Sequence, residues 1–234
     1  KGLYLYAPGG LPVLLAAHLD TVHPSPPAEI FHDREKGVLW SPQGLGADDR
    51  AGVLAVLHVL KQGYRPHVLF CDREESGGLG AREAVKRLPR PDVAFVLGLD
   101  RRGAGDYVMY GWRSPELEAM LERHGFRQAL GTFSDIAVLC PAWEIPGANL
   151  SVGFYQEHSK AEHLRLPELC RTAGRVCRML QEIPAVSFSY VEEPPDIPER
   201  AAGWWEDTYP YRDNDSPFCL GRRTAAKKYR IVQK

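Results

Sequence analysis

Apolar residues in this chain come in short unbroken runs that end in charged or imidazole side chains. PVLLAAHLD (Pro12 to Asp20), HVLFCDREE (His67 to Glu75) and DVAFVLGLD (Asp92 to Asp100) are each apolar through the body and polar at the carboxyl end. Runs of this length without alternation predict strands buried on both faces. LYLYA (Leu3 to Ala7), set off from Pro12 by a Pro-Gly-Gly turn, and GVLWS (Gly37 to Ser41), after a Pro-rich loop, predict two more strands. Helical spacing fills the intervals: Arg50 to Lys61, Gly78 to Leu88, Pro115 to His124, a short helix around Ser134 to Leu139, and Leu166 to Glu182. Val53, Leu54, Val56, Leu57, Val59 and Leu60 leave the first of these little polar face, so it is expected to be mostly buried. With YVMYG and ANLSVGF as further strands, the alternation predicts an α/β fold: a three-layer α/β/α sandwich with a mixed, largely parallel central sheet.

The chain has 234 residues, enough to bury one substantial core. Residues 1–192 are expected to form a single catalytic domain. Composition shifts at about Glu193 into PPDIPER, WWEDTYPYRDNDSPF and a basic end, so 193–234 reads as a C-terminal tail or extension, its basic end a solvated terminus.

Charge narrows the classes of partner. With 29 basic and 30 acidic residues the formal net charge is -1, which gives no general field for nucleic acid. The apolar runs are far shorter than the roughly 20 residues of a membrane-spanning helix. The first segment reads as a strand rather than a secretory leader, and five cysteines without CxxC spacing fit reduced thiols, so a cytoplasmic protein is expected. Cys170 and Cys177 fall on a helical apolar stripe and are expected in the core. Composition leaves the oligomeric state open.

The polar strand ends carry the chemistry. His18 and Asp20, Glu74 and Glu75, and Asp100 all stand where open α/β sheets gather function, His158 follows the strand ending in SVGF, and Asp48 sits in a loop leading into a helix. Carboxylates brought together away from water need a compensating cation. Imidazole and carboxylate without thiolate suit zinc, or manganese or cobalt. In an extended strand His18 and Asp20 point to one side, so Asp20 is placed to hold the second nitrogen of the imidazole. Asp49 suits an N-cap for the helix beginning at Arg50. His23, His32, His58, His67, His124 and His163 read as ordinary surface or helix-face residues. Ser134 and Asp135 lack a nucleophile elbow and are expected to cap a helix or contact substrate.

With these segments in hand, the sequence resembles the zinc exopeptidase superfamily that includes peptidase T, the glutamate carboxypeptidases and the bacterial leucyl aminopeptidases. HLDTV, GADDRAG, REESGGLGA, GLDRRG and GFYQEHSKAEHL carry the resemblance in order. It implies two divalent ions held by His18, Asp48, Glu75, Asp100 and His158, with Asp48 bridging and followed by a cis bond to Asp49. It implies a supporting role for Asp20 and makes Glu74 the base that moves the proton of the attacking water to the leaving amine. The motif around His158 is a variant, and His163 is the alternative ligand; Tyr155 is a candidate to help stabilise the oxyanion.

Many relatives insert a lid between the segments of Asp100 and the later SD motif, whereas here Asp100 and Asp135 are 35 positions apart. The resemblance therefore implies hydrolysis of an amide bond in a small peptide or acylated amino acid, with an aminopeptidase favoured. A single-metal cyclase like the glutaminyl cyclases and a non-catalytic peptide binder are the rivals.

Overall fold

The computed structural model describes residues 3–193; the expected tail, apart from Glu193, lies outside the described residues, as does Cys219. The chain runs β1 (Tyr4–Ala7), β2 (Leu11–His18), β3 (Phe31–Asp33), β4 (Val38–Trp40), α1 (Ala47–Lys61), β5 (Pro66–Cys71), α2 (Leu79–Arg87), β6 (Phe95–Arg101), β7 (Asp106–Val108), β8 (Trp112–Arg113) and α3 (Pro115–Arg123). It continues through β9 (Arg127–Gln128), α4 (Ile136–Trp143), β10 (Gly147–Ser151), β11 (Phe154–Tyr155), β12 (His163–Arg165), α5 (Leu166–Gln181) and β13 (Val191–Glu192).

Because successive side chains of a strand face opposite ways, an apolar run inside a sheet must feed two cores. In β2, Val13, Leu15 and Ala17 join one core with residues of α1, α3 and α5, while Leu14 and Ala16 join a second with residues of α2 and α4. β6 divides the same way, Phe95, Leu97 and Leu99 against Val96. The molecule is thus the expected three-layer α/β/α sandwich.

The central sheet has seven strands in the order β1-β5-β2-β6-β10-β7-β9. The β5, β2, β6 and β10 neighbours are parallel; β1 on β5 and β7 on β10 are antiparallel. Although only a turn separates β1 from β2, β5 lies between them, because β2 takes the centre of the sheet and leaves β1 its edge. Parallel pairing points the carboxyl ends of β2, β5 and β6 the same way, and His18, Glu74, Glu75 and Asp100 arrive together there.

The segment read as one strand, ANLSVGF, divides. β10 stays in the central sheet, the chain turns at Gly153 (φ +88), and β11 enters a second sheet ordered β11-β12-β4-β3. β3 lies in the stretch read as loop, having only Phe31 and His32 exposed and Asp33 to show in sequence. Helix α1 is less buried than its composition implies: Leu54 and Leu57 face outward, since α1 is covered by the sheet on one side and α5 on another but bare on a third. Cys170 is exposed and Cys177 half-buried, because the inward stripe of α5 follows Leu169, Thr172, Ala173, Val176, Met179 and Leu180. Among the described residues no helix is long and apolar enough to cross a membrane.

Candidate metal centre

His18 ends β2 with its side chain buried and both ring nitrogens engaged. Nδ1 lies 3.0 Å from the carbonyl oxygen of Asp20 and 3.3 Å from its carboxylate. Nε2 lies 3.1 Å from Asp48 Oδ1, 3.4 Å from Asp100 Oδ1 and 4.0 Å from Glu74 Oε2. Oxygens accept only, so a proton on Nδ1 satisfies the Asp20 side and turns the lone pair of Nε2 toward two carboxylates.

Asp48 faces both ways. Its second oxygen, Oδ2, lies 3.2 Å from His158 Nε2, which is 3.0 Å from Glu75 Oε2. Three groupings of potential ligand atoms result: His18 with Asp48 and Asp100; Asp48 with Glu75 and His158; and His18 with Glu74 and Glu75. The first two share Asp48. His158 is placed by a left-handed backbone (φ +60) in the turn between β11 and β12, and its side chain is 51% exposed. His163, the alternative, stacks its ring on Tyr155 and turns Nδ1 to the Ala161 carbonyl, and it belongs to none of these groupings.

The backbone around these groups is pinned by other acids. Asp20 Oδ1 accepts the N–H of Glu74 at 3.0 Å and Oδ2 that of Glu75 at 3.2 Å, so one carboxylate braces His18 and the Glu-Glu pair together. Asp49 Oδ2 accepts the His18 N–H at 3.1 Å and Oδ1 the Gly52 N–H at 2.9 Å, which caps the regular part of α1 as expected. The Asp48–Asp49 peptide bond is cis.

Two braces were not anticipated. Glu162, 1% exposed, accepts the N–H of Asp48 on Oε1 at 2.9 Å and that of Gly46 on Oε2, while His23 Nε2 lies 3.2 Å away. Asn149 on β10 accepts the Asp100 N–H at 3.0 Å and donates to the Asp100 carbonyl at 2.9 Å and to Tyr110 Oη at 3.0 Å. Nothing in sequence marks Glu162 apart from other loop glutamates; an asparagine inside the apolar strand ANLSV is the one visible signal for Asn149. Tyr155 is not free to stabilise an oxyanion, because its hydroxyl donates to Glu168 Oε2 at 2.6 Å. Asp135 begins α4 without a capping hydrogen bond; its carboxylate is buried beside the Cys71 thiol, and burial pushes its carboxyl up to about 7.

The electrostatics ask for a cation. Burial first, then the charge of Asp100, pushes Glu74 up to about 9; burial and Asp48 push Glu75 up to about 7. Asp100 rises to about 6, chiefly through burial. Burial alone would lower the His18 pKa, but the carboxylates of Asp100, Asp20 and Asp48 outweigh it and raise it well above its ordinary value. Glu75 Oε1 is buried with no hydrogen-bond partner. Carboxylates retaining protons, an imidazole driven to keep one and an orphaned oxygen are what a group of metal ligands shows without its cation. Zinc bound by nitrogen and oxygen at about 2.0–2.2 Å with tetrahedral angles separates ligand atoms by about 3.3–3.6 Å, near the 3.1 and 3.4 Å from His18 Nε2 and the 3.2 and 3.0 Å from His158 Nε2 to their carboxylates. The donor set fits a hard or borderline divalent ion.

The sequence model of peptidase family M28 matches residues 7–136. That stretch carries His18, Asp20, Asp48, Glu74, Glu75 and Asp100 and stops short of His158. No curated protein sequence matches the chain. Among solved structures, the aminopeptidase PepT of Bacillus cereus ATCC 10987 is 17% identical with a TM-score of 0.58, covering 77% of this chain and 84% of its own. A tripeptidase of Staphylococcus aureus is 15% identical with a TM-score of 0.61, covering 77% and 83%. A Porphyromonas gingivalis glutaminyl cyclase is 16% identical with a TM-score of 0.52, covering 77% and 76%. These likenesses concern the fold. The family match spans more than half of the chain, and on that ground the chain belongs to peptidase family M28, as a metal-dependent peptidase.

Proposed function

We propose that the chain is a two-metal aminopeptidase acting on small peptides. One observation carries this reading: the two oxygens of Asp48 face two different imidazoles, those of His18 and His158, each within a three-residue group of ligand atoms. His18, Asp48 and Asp100 would hold one ion and Asp48, Glu75 and His158 the other, both most simply zinc. When bound, the ions supply Lewis acidity, easing deprotonation of water and charge development on the carbonyl oxygen.

The chain's own groups do the rest. Asp20 fixes the His18 ring with Nε2 inward and holds the Glu74 and Glu75 backbone in register with it. Glu74, whose carboxylate faces the same cluster without sharing the Asp48 bridge, takes the proton of the attacking water and hands it to the leaving amine. Burial of His18 and Asp48, with the Asp100 side chain only 10% exposed, keeps bulk water from screening these charges.

An aminopeptidase is preferred to other exopeptidases because only β7, β8, α3 and β9 lie between Asp100 and the Ser134–Asp135 pair, leaving no separate domain over that side of the site. Similarity in fold to the Bacillus cereus aminopeptidase and the Staphylococcus aureus tripeptidase is in keeping with it. The cyclase reading requires a single ion. Elemental analysis of the purified chain, with hydrolysis of free-amine and N-blocked dipeptides before and after chelation, tests the proposal. About two ions and chelator-sensitive cleavage of the free-amine peptides support it; one ion with ring closure and no water incorporated favours the cyclase, and no ion with no cleavage rejects both.

A further inference from the structure

The sheet β11-β12-β4-β3 has two unlike faces. Leu164 and Phe154 are buried in the main core, and Leu39, aligned with Leu164, packs against it. On the other face the register sets Phe31, Trp40, His163 and Tyr155 side by side across the four strands. Phe31 stacks on Trp40 with ring centroids 4.8 Å apart and His163 on Tyr155 at 5.4 Å, while the Arg165 guanidinium sits 4.9 Å from the Tyr155 ring. Trp40 remains 42% exposed.

A groove of about 640 Å³ runs along this face, with Trp40, His163 and Val38 on its floor and Lys36, Lys160, Arg165 and Arg171 around it. Its two acids are already engaged: Glu162 with the Gly46 and Asp48 amides, Glu168 with the Tyr155 hydroxyl and Arg165. Lys36 faces Asp33 at 3.3 Å, but no carboxylate among the described residues lies within ion-pair distance of Lys160 or Arg171. The groove therefore offers exposed aromatic surface and positive charge with no ion-pair partner among the described residues.

It also abuts the metal centre. Lys160 follows His158 by two positions, and Glu162 lines the groove while its carboxylate holds the Asp48 amide. From the Trp40–His163 pair to the Val38–Arg165 pair is two strand positions, about 7 Å, the reach of two extended peptide residues.

We propose that this groove is the subsite for the part of a peptide substrate beyond the cleaved bond, and that it selects peptides in which an aromatic residue is followed by a carboxylate. Contact with the Trp40 and His163 rings that line the floor orients the aromatic side chain, and Lys160 and Arg171 supply the missing counter-charge. The inference rests on the aminopeptidase reading, and its test is arranged so that the two fail separately.

The peptide amides Leu-Ala-Phe-Glu and Leu-Ala-Phe-Gln differ in one charge. With the zinc-loaded full chain, kcat/KM for the first should exceed that for the second by about fivefold or more, the difference shrinking as salt is raised. The double variant Lys160→Ala/Arg171→Ala should bring the ratio to about one while keeping its metal content. Binding is read independently in the Glu74→Gln protein by fluorescence anisotropy of the same two peptides carrying a dye. Tighter binding of the Glu peptide that disappears in the double variant supports the groove even if neither peptide is cleaved, in which case only the peptidase reading falls. Equal affinity for the two peptides, unchanged by the double variant, overturns the groove whatever the activity.

Discussion

Glu162 holds Asp48 by its backbone: Oε1 accepts the Asp48 N–H at 2.9 Å from 114 residues away in sequence, inside a pocket where the glutamate is 1% exposed. The residue with the most demanding geometry in the site, facing two imidazoles at once, is therefore positioned by a side chain that touches neither. Replacing Glu162 by Ala leaves the Gly46 and Asp48 amides without their acceptor in a buried place, at a cost of about 1–3 kcal/mol for each group left unsatisfied. Glu162→Ala is expected to lower the melting temperature and weaken metal affinity by about 10- to 100-fold, with Glu162→Gln falling between. Zinc titration against a competing chelator, followed by thermal melting, checks both.

Glu74 stands beside the cluster without sharing Asp48. Glu74→Gln preserves its size and removes its ability to take a proton, so kcat should fall by about 10²–10⁴-fold with metal content unchanged. Steady-state kinetics with elemental analysis of the same sample decide it. A variant that kept both its metals and most of its activity would remove Glu74 from the role of base.

Without metal the centre should make the protein sensitive to alkali. Folded Glu75 and Asp100 keep their protons to about pH 7 and 6, whereas the unfolded chain releases them near 4.5 and 3.8. Glu74 extends the interval to about 9. Throughout this interval the folded state binds more protons than the unfolded state, so the stability these groups contribute is full below their unfolded values near 4 and falls as pH rises toward 9. His18, with its folded pKa raised, works in the same direction. Urea unfolding of chelated protein from pH 5 to 9 should show the decline, and added zinc should reverse it at the alkaline end.

Gly52 lets α1 approach β6. A Cβ on it would lie 2.0 Å from the Leu99 carbonyl oxygen and 2.5 Å from both oxygens of Asp49. Gly52→Ala must displace the helix or the strand carrying Asp100, since one obstacle is backbone. A loss of stability of about 1–3 kcal/mol or more is expected, measured by urea denaturation, with weakened metal binding alongside it.

Most of the candidate ligands stand out in the sequence because they are polar interruptions of an apolar pattern. His18, Glu74, Glu75 and Asp100 stand at the ends of runs too apolar to be anything but buried strands, and Asp48 with Asp49 marks a helix start. Strand alternation likewise fixed the two cores on either side of β2. The support of Asp20 for the His18 ring was legible from their spacing, but the backbone contacts that aim the other candidate ligands were not. Asp20, 54 and 55 residues from the amides it holds, Glu162, 114 residues from Asp48, and Asn149, 49 residues from Asp100, act through single hydrogen bonds that leave no periodic trace. Whether His158 or His163 joins the cluster was likewise open in sequence, because it turns on which residue of a short hairpin adopts a left-handed backbone and which pairs in the sheet. Burial is a property of a stretch of chain and shows in its pattern, whereas the contact that aims one carboxylate depends on which distant loop the fold brings beside it.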